Sequence, residues 1–210
     1  VSYSVPGREA PILKNISLNI KPKSRILVEG VSGSGKSTLL MLIGGLVEAT
    51  KGKIYLDKFM LSNVNLNHYR SHLGLALSEE TTFEATIKEN ITFGNPDVSD
   101  EQLMWAIEKV GLYQFIKESP KGVNTILHPA GNQIPFTVTR KIVLARAIVD
   151  KPKILILEDP LEQFEKSEVD RIIKFLLDKS NPWALVVVSK NNDWSQGCTE
   201  VITLKNGDIV

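Results

Sequence analysis

The chain has 210 residues, 42% hydrophobic and 23% charged, with a formal net charge of +1, a composition that suits one soluble globular domain, or one with two lobes, with a sizeable core. Near-neutral charge removes any compositional argument for nucleic acid or anionic lipid as a partner. The lone Cys198 excludes an internal disulfide and fits a reducing compartment, and no apolar run has the length of a membrane span or the setting of a signal peptide.

The chain opens at Val1 without an initiating methionine and is in strand-like sequence by Tyr3, which reads as a domain cut from a longer polypeptide. Residues 2–5 and 12–20 read as strands, the second through the alternation Ile16, Leu18, Ile20 before the turn Lys21-Pro22-Lys23. The apolar run Ile26-Leu27-Val28 then leads into Gly30-Val31-Ser32-Gly33-Ser34-Gly35-Lys36-Ser37-Thr38. That spacing is a phosphate-binding loop. Its glycines let successive backbone N–H groups wrap closely round phosphate oxygens, which a Cβ would obstruct. Lys36 is placed to reach the outer phosphates, the Ser37 hydroxyl can ligand Mg²⁺, and the helix that opens there turns its positive end to the anion. The motif needs a strand before it and a helix after it, and Leu39-Leu40-Met41-Leu42-Ile43 continues the helix towards a stop near Gly44-Gly45.

Next, residues 52–56 read as a strand and 73–77 as a short buried one. From 78 to 149 the pattern turns helical, over 84–91, over 100–111 with Ser99 and Gln102 at capping-box spacing, and over 140–149. Trp105, Ile107 and Leu112 are the expected core of that lobe. Residues 153–157 read as a strand, 167–177 as a helix, 184–189 as a strand around Val186-Val187-Val188, and 201–210 as a hairpin about Asn206-Gly207. Strands alternating with helices make the fold α/β with parallel strands. The expected organisation is one domain over 1–210, with an α/β core from 1–77 and 150–210 and a mainly helical lobe from 78–149. Glu158 and Asp159 close an apolar strand that leads away from the phosphate-loop core, a placement typical of metal-proximal carboxylates. His68, His72 and His128 match no ligand spacing and read as structural or surface residues.

In order and spacing these segments resemble the nucleotide-binding domain of ABC transporters over essentially the full length. Besides residues 30–38, the likeness is carried by Thr86-Ile87-Lys88-Glu89-Asn90-Ile91-Thr92-Phe93-Gly94, similar to the exporter-type linker into the helical lobe. Leu144-Ala145-Arg146-Ala147 and Lys153-Ile154-Leu155-Ile156-Leu157-Glu158-Asp159-Pro160 are similar to the signature helix and the Walker B strand, and Leu204-Lys205-Asn206-Gly207-Asp208-Ile209-Val210 also fits. The resemblance implies a P-loop NTPase (RecA-like) core with an antiparallel β edge subdomain and a helical insertion lobe. It implies ATP and Mg²⁺ as cofactors, the nucleotide on Gly30, Ser32, Gly33, Ser34, Gly35, Lys36, Ser37 and Thr38, and the metal on Ser37, Glu158 and Ser78. It further implies dimers, homo or hetero, with nucleotide between each phosphate loop and the partner's signature segment. A membrane domain, on the same chain or a partner subunit, would place the protein at the cytoplasmic face of the cell membrane.

The departures from the family pattern fall where its chemistry is done. The Walker B aspartate and the following glutamate are reversed, as Glu158 and Asp159, so Asp159 is one methylene short of the water a glutamate would polarise. Lys190 stands for the switch histidine and has no imidazole tautomer to orient that water. Ser78 stands for the glutamine that precedes Glu79. The signature aligns with Ile134-Pro135-Phe136-Thr137-Val138, where Pro135 lacks an N–H and Phe136 obstructs close approach to a partner's nucleotide. The aromatic expected to stack on adenine is Val5, with Tyr3 on the same strand face as a substitute. Asp159, Glu158 and Lys190 are thus the degenerate catalytic positions of an ABC-type ATPase whose turnover is expected to be slow or lost. A non-catalytic, nucleotide-gated interaction module is the alternative. A P-loop kinase ranks below both, because 134–149 offers only Arg140 and Arg146 for its arginine-rich lid.

Overall fold

The strands with the most continuous apolar sequence lie at the centre of the sheet, because there both faces are covered and neither can be polar. The computed structural model describes residues 1–7, 10–128 and 134–210. The elements run β1 Arg25–Glu29, α1 Lys36–Ile43, the hairpin of β2 Tyr55–Leu56 and β3 Phe59–Met60, α2 Leu66–Arg70 and β4 Leu73–Ala76. Then come β5 Ala85–Thr86, α3 Ile87–Thr92, α4 Asp100–Val110, α5 Tyr113–Glu118, β6 Ile126–Leu127 and α6 Phe136–Ile148. β7 Ile154–Glu158, α7 Lys166–Leu177, β8 Ala184–Val188, β9 Glu200–Lys205 and β10 Asp208–Ile209 complete the chain. The main sheet has six strands in the order β10-β9-β1-β8-β7-β4. All neighbours in it are parallel except the edge pair of β9 with β10.

Strand alternation sends the side chains to two faces. Leu27, Leu155, Leu157, Leu185 and Val187 pack with Ile107, Leu112, Ile142 and Ile172 from the helices of the second half. Ile26, Val28, Ile156, Val186 and Val188 pack with Leu39, Leu40 and Leu42 of α1. Ile107 and Leu112 are fully buried and Trp105 packs against their cluster, as the sequence leads one to expect.

Several boundaries differ from expectation for identifiable reasons. Residues 12–20 keep the alternating burial of Ile16, Leu18 and Ile20 but form no strand; Leu13 makes a single bridge to Tyr3, and Ser2 one to Lys51. Apolar alternation buries a segment without supplying a ladder partner. Likewise 52–56 yields only the two residues of β2, which turn back into β3. The helix expected over 84–91 starts at Ile87, because Thr86 and Glu89 form a capping box and Ala85–Thr86 pairs with Ile126–Leu127 instead. The helix expected from 140 starts at Phe136, directly behind Pro135. The capping box of Ser99 with Gln102 and the hairpin at Asn206-Gly207 form as read.

The histidines serve as surface or structural residues. His128 meets Glu84 at 3.2 Å, and His72 Nδ1 lies 2.9 Å from the His68 carbonyl. Cys198 is free, and burial pushes its thiol up to about 11, so it is a packed rather than a reactive group.

At the end of the sheet away from the phosphate loop, Arg25 is fully buried. Its guanidinium donates to the carbonyls of Lys23, Ser24, Leu177, Asp178 and Trp183, joining the start of β1 to the loop between α7 and β8. Burial lowers its pKa, with Cys198 and Asp178 acting in the opposite direction. Arg25→Met is expected to lower stability by about 3 kcal/mol, since it leaves several buried carbonyls unpaired, and urea denaturation measures it.

Candidate functional site

β1 ends at the carboxyl edge of the sheet, and the loop that follows is shaped by one close approach. Gly30 lies in the positive-φ region at +144°, and an added Cβ would stand 2.3 Å from the Leu204 carbonyl of β9 and 2.8 Å from Ser34 Oγ. The loop is therefore pressed onto the C-terminal hairpin. Gly207 strengthens that seat, donating its N–H to the Ser34 carbonyl at 3.2 Å and accepting from Lys14 N at 2.8 Å. Among the described residues, the N–H groups of Gly33, Gly35, Lys36, Ser37 and Thr38 meet no protein acceptor. They form a bank of free donors at the N-terminus of α1, the arrangement that binds phosphate. Lys36 Nζ folds over the loop and donates to the carbonyls of Gly30 at 2.7 Å and Val31 at 2.9 Å.

The opposite wall comes from the ends of the neighbouring strands. Glu158, 7% exposed at the end of β7, accepts from Ser37 Oγ through Oε1. Through Oε2 it accepts from Ser78 Oγ at 3.0 Å and Ser78 N at 3.3 Å. Three residues assigned to the metal thus meet in one network although they are far apart in sequence. Asp159 adopts φ +40°, uncommon for a residue with a side chain. Its N–H donates to the Val188 carbonyl at 2.8 Å, and its Oδ1 accepts from Lys190 N at 3.3 Å. Ser32, Gly33, Gly35, Lys36, Ser37, Thr38, Glu158, Asp159 and Lys190 line one cleft of about 330 Å³, together with Ile12 and Val188.

Other expected residues lie elsewhere. Ser34 is 2% exposed behind the loop, where its carbonyl meets Gly207. Tyr3 packs against the apolar cluster beneath α1, and Val5 is 40% exposed; neither lines the cleft, and Ile12 does. Pro135 is exposed, and Phe136 opens α6 with 46% of its surface exposed. A roomier cleft of about 500 Å³ lies between residues 16–20 and Tyr55, but it has no convergent charged groups at a helix N-terminus.

Two residues were not legible as site components. Arg140 is 4% exposed and donates to the carbonyls of Leu77, Ser78, Glu80 and Glu158. Arg146 donates to the carbonyls of Asn90 and Thr81 and lies 4.5 Å over the Phe93 ring. Both guanidiniums have their pKa lowered by burial. Engaged in this way, neither serves as an arginine of a kinase lid. Polar residues are spread around α6, so its pattern gave no signal that Arg140 is buried.

The site's donor set fits Mg-nucleotide. Mg²⁺ is held by one or two carboxylates together with phosphate oxygens rather than by an all-protein cage, and the cleft offers one buried carboxylate with two hydroxyls beside a bank of N–H donors. No group of three or more His, Cys, Asp or Glu suited to a metal occurs among the described residues.

A phosphate loop at the end of a central parallel strand, faced by a carboxylate at the end of a strand two places away, defines a P-loop nucleotide-binding fold. The family model described as ABC transporter matches residues 13–162, and the chain belongs to that family. The chain is similar to curated transporters of that family. It is 33% identical over 208 residues to human "ATP-binding cassette sub-family B member 5", covering 99% of this chain and 16% of that protein. It is 34% identical over 181 residues to "ABC multidrug transporter MDR2" of Trichophyton interdigitale, covering 85% of this chain and 14% of that protein. The chain therefore spans only about a sixth of these relatives. In fold it matches the solved structure of a bacterial Atm1-family ABC exporter with ATP bound, at a TM-score of 0.91 and 21% identity over 100% of this chain and 36% of that one. No helix among the described residues is long and apolar enough to cross a membrane.

Gly30→Ala is expected to cost about 2–4 kcal/mol, from overpacking against Leu204 plus the unfavourable φ, and to weaken ATP binding at least about tenfold. Chemical denaturation and equilibrium dialysis measure the two effects.

Proposed function

We propose that this domain binds Mg-ATP in the cleft between residues 30–38 and Glu158 and hydrolyses it very slowly or not at all. Lys36 and the free N–H groups take the phosphates, while Ser37, Glu158 and Ser78 take the metal. Bound Mg²⁺ would supply charge neutralisation on the phosphate oxygens. One observation carries the slow-turnover reading: the Asp159 carboxylate accepts the N–H of Lys190. That contact holds a side chain already one methylene short back against the end of β8. A base displaced by about 1 Å loses on the order of a hundredfold in rate. Lys190 offers charge but no imidazole, and Pro135 with Phe136 makes a poor anion cradle for a partner's nucleotide.

By the same reading the domain pairs with a second nucleotide-binding domain, in a homodimer or heterodimer, and couples to a membrane domain on its own polypeptide or on a partner. Its place would be the cytoplasmic face of the cell membrane, with residues 1–77 and 150–210 as the α/β core and 78–149 as the helical lobe. The exposed Phe136 at the start of α6 also favours a second reading, a nucleotide-gated interaction module that energises nothing by its own hydrolysis. Transport by the full protein that is unchanged by Asp159→Glu with Lys190→His supports that module; a gain in transport counts against it.

Equilibrium Mg-ATP binding measured beside turnover on the same sample tests the main proposal. Binding should be clear and should fall about 10- to 100-fold in Lys36→Ala, the effect of losing a charge-assisted contact. Turnover should lie at or below about 0.1 s⁻¹, a hundredfold under the common enzyme value of about 10 s⁻¹. Brisk turnover that Lys36→Ala abolishes, or absence of binding, overturns the proposal.

A further inference from the structure

Arg140 joins two strand ends that carry the metal-side groups. One guanidinium nitrogen, Nη1, donates to the carbonyls of Leu77 at 3.1 Å, Ser78 at 3.4 Å and Glu80 at 3.5 Å, all in the turn that follows β4. The other, Nη2, donates to the carbonyl of Glu158 at 3.1 Å, at the end of β7. β4 and β7 are neighbours paired from Leu73 with Ile154 to Ala76 with Leu157, and the ladder stops there. Beyond it the two chains part, and the planar fork of Arg140 spans the gap from α6.

Two of those residues also meet through their side chains beside the nucleotide cleft, which Glu158 lines. Ser78 donates N–H and Oγ to Glu158 Oε2, while Ser37 of the phosphate loop donates to Oε1. The backbone of Ser78 and Glu158 is thus set by Arg140 on one side, and their side chains are set by each other on the other. We propose that Arg140 is a positioning residue for the divalent cation that accompanies the nucleotide: its contacts to the 77–80 turn and the end of β7 fix how far apart Ser78 and Glu158 stand. The idea rests on the Mg-ATP reading of the cleft. It assigns Arg140 no contact with nucleotide or metal. The five donors of a guanidinium lie in a rigid fork, so a lysine cannot hold the turn and the strand end together in the same way.

The test is the ratio of ATP affinity with Mg²⁺ to that in EDTA, measured by equilibrium dialysis on the purified chain and on Arg140→Gln and Arg140→Lys, with thermal unfolding followed alongside. Wild type should bind more tightly with Mg²⁺. Both variants should keep the EDTA affinity within about twofold and lose about tenfold or more of the Mg²⁺ enhancement, the usual scale for outer-sphere support of a metal. If Arg140→Gln does not fold, Arg140→Lys gives the same measurement. Enhancement that survives in a folded variant overturns the proposal and leaves the nucleotide reading intact. Equal losses with and without Mg²⁺, or failure of both variants to fold, reduce Arg140 to a general structural residue and overturn it as well. Wild type that binds no ATP under either condition brings down both readings, so the two failures are distinguishable.

Discussion

The Glu158 carboxylate is the point through which the parts of the site communicate. It sits at the end of β7, nearly out of solvent, with one oxygen on Ser37 and the other on Ser78. That position exists because the strand order sets β1 and β7 on either side of β8 and β4 beyond β7, so that all four end at the same edge. A buried carboxylate is costly unless it is hydrogen-bonded on each oxygen. The two serines meet that requirement from different elements, and so they fix the phosphate loop relative to the 77–80 turn.

Backbone contacts hold the loop from behind. β9 lies so close to Gly30 that only hydrogen fits there, and Gly207 reaches both Ser34 and Lys14. The last residues of the chain are therefore part of the phosphate site even though none of them lines the cleft. The contrast with Asp159 is instructive. Asp159, in a conformation that side chains seldom take, donates its N–H to the Val188 carbonyl and accepts the Lys190 N–H on its carboxylate, which ties the ends of β7 and β8 together. Glu158 is thus hydrogen-bonded on both oxygens by groups that border the phosphate loop, whereas Asp159 and Lys190 bond to the neighbouring strand ends.

Two buried arginines and the partly buried Arg146 do comparable work in different places. Arg25 closes the far end of the sheet, Arg140 the near end, and Arg146 the seam between α6 and α3. Each directs its donors at main-chain carbonyls at or near the ends of regular elements and in the turns beside them. A guanidinium suits this role because it stays charged under burial and presents several donors in one plane.

What the amino-acid order determined by itself is local in origin. The phosphate loop, the capping box of Ser99 with Gln102, the C-terminal hairpin and the apolar central strands depend on residues within a few positions of one another, and these were legible. The meeting of Ser37, Ser78 and Glu158 was legible only through family likeness, since nothing local joins positions 37, 78 and 158. Only the tertiary structure decided that residues 12–20 stay outside the sheet, that Ala85–Thr86 pairs with Ile126–Leu127 ahead of α3, that Tyr3 turns into the core, and that Arg140 spans two strands. Each of these depends on which distant backbone groups lack a partner. A pattern of apolar and polar residues along the chain specifies which side chains leave water, but not which carbonyls from elsewhere will be left for them to meet.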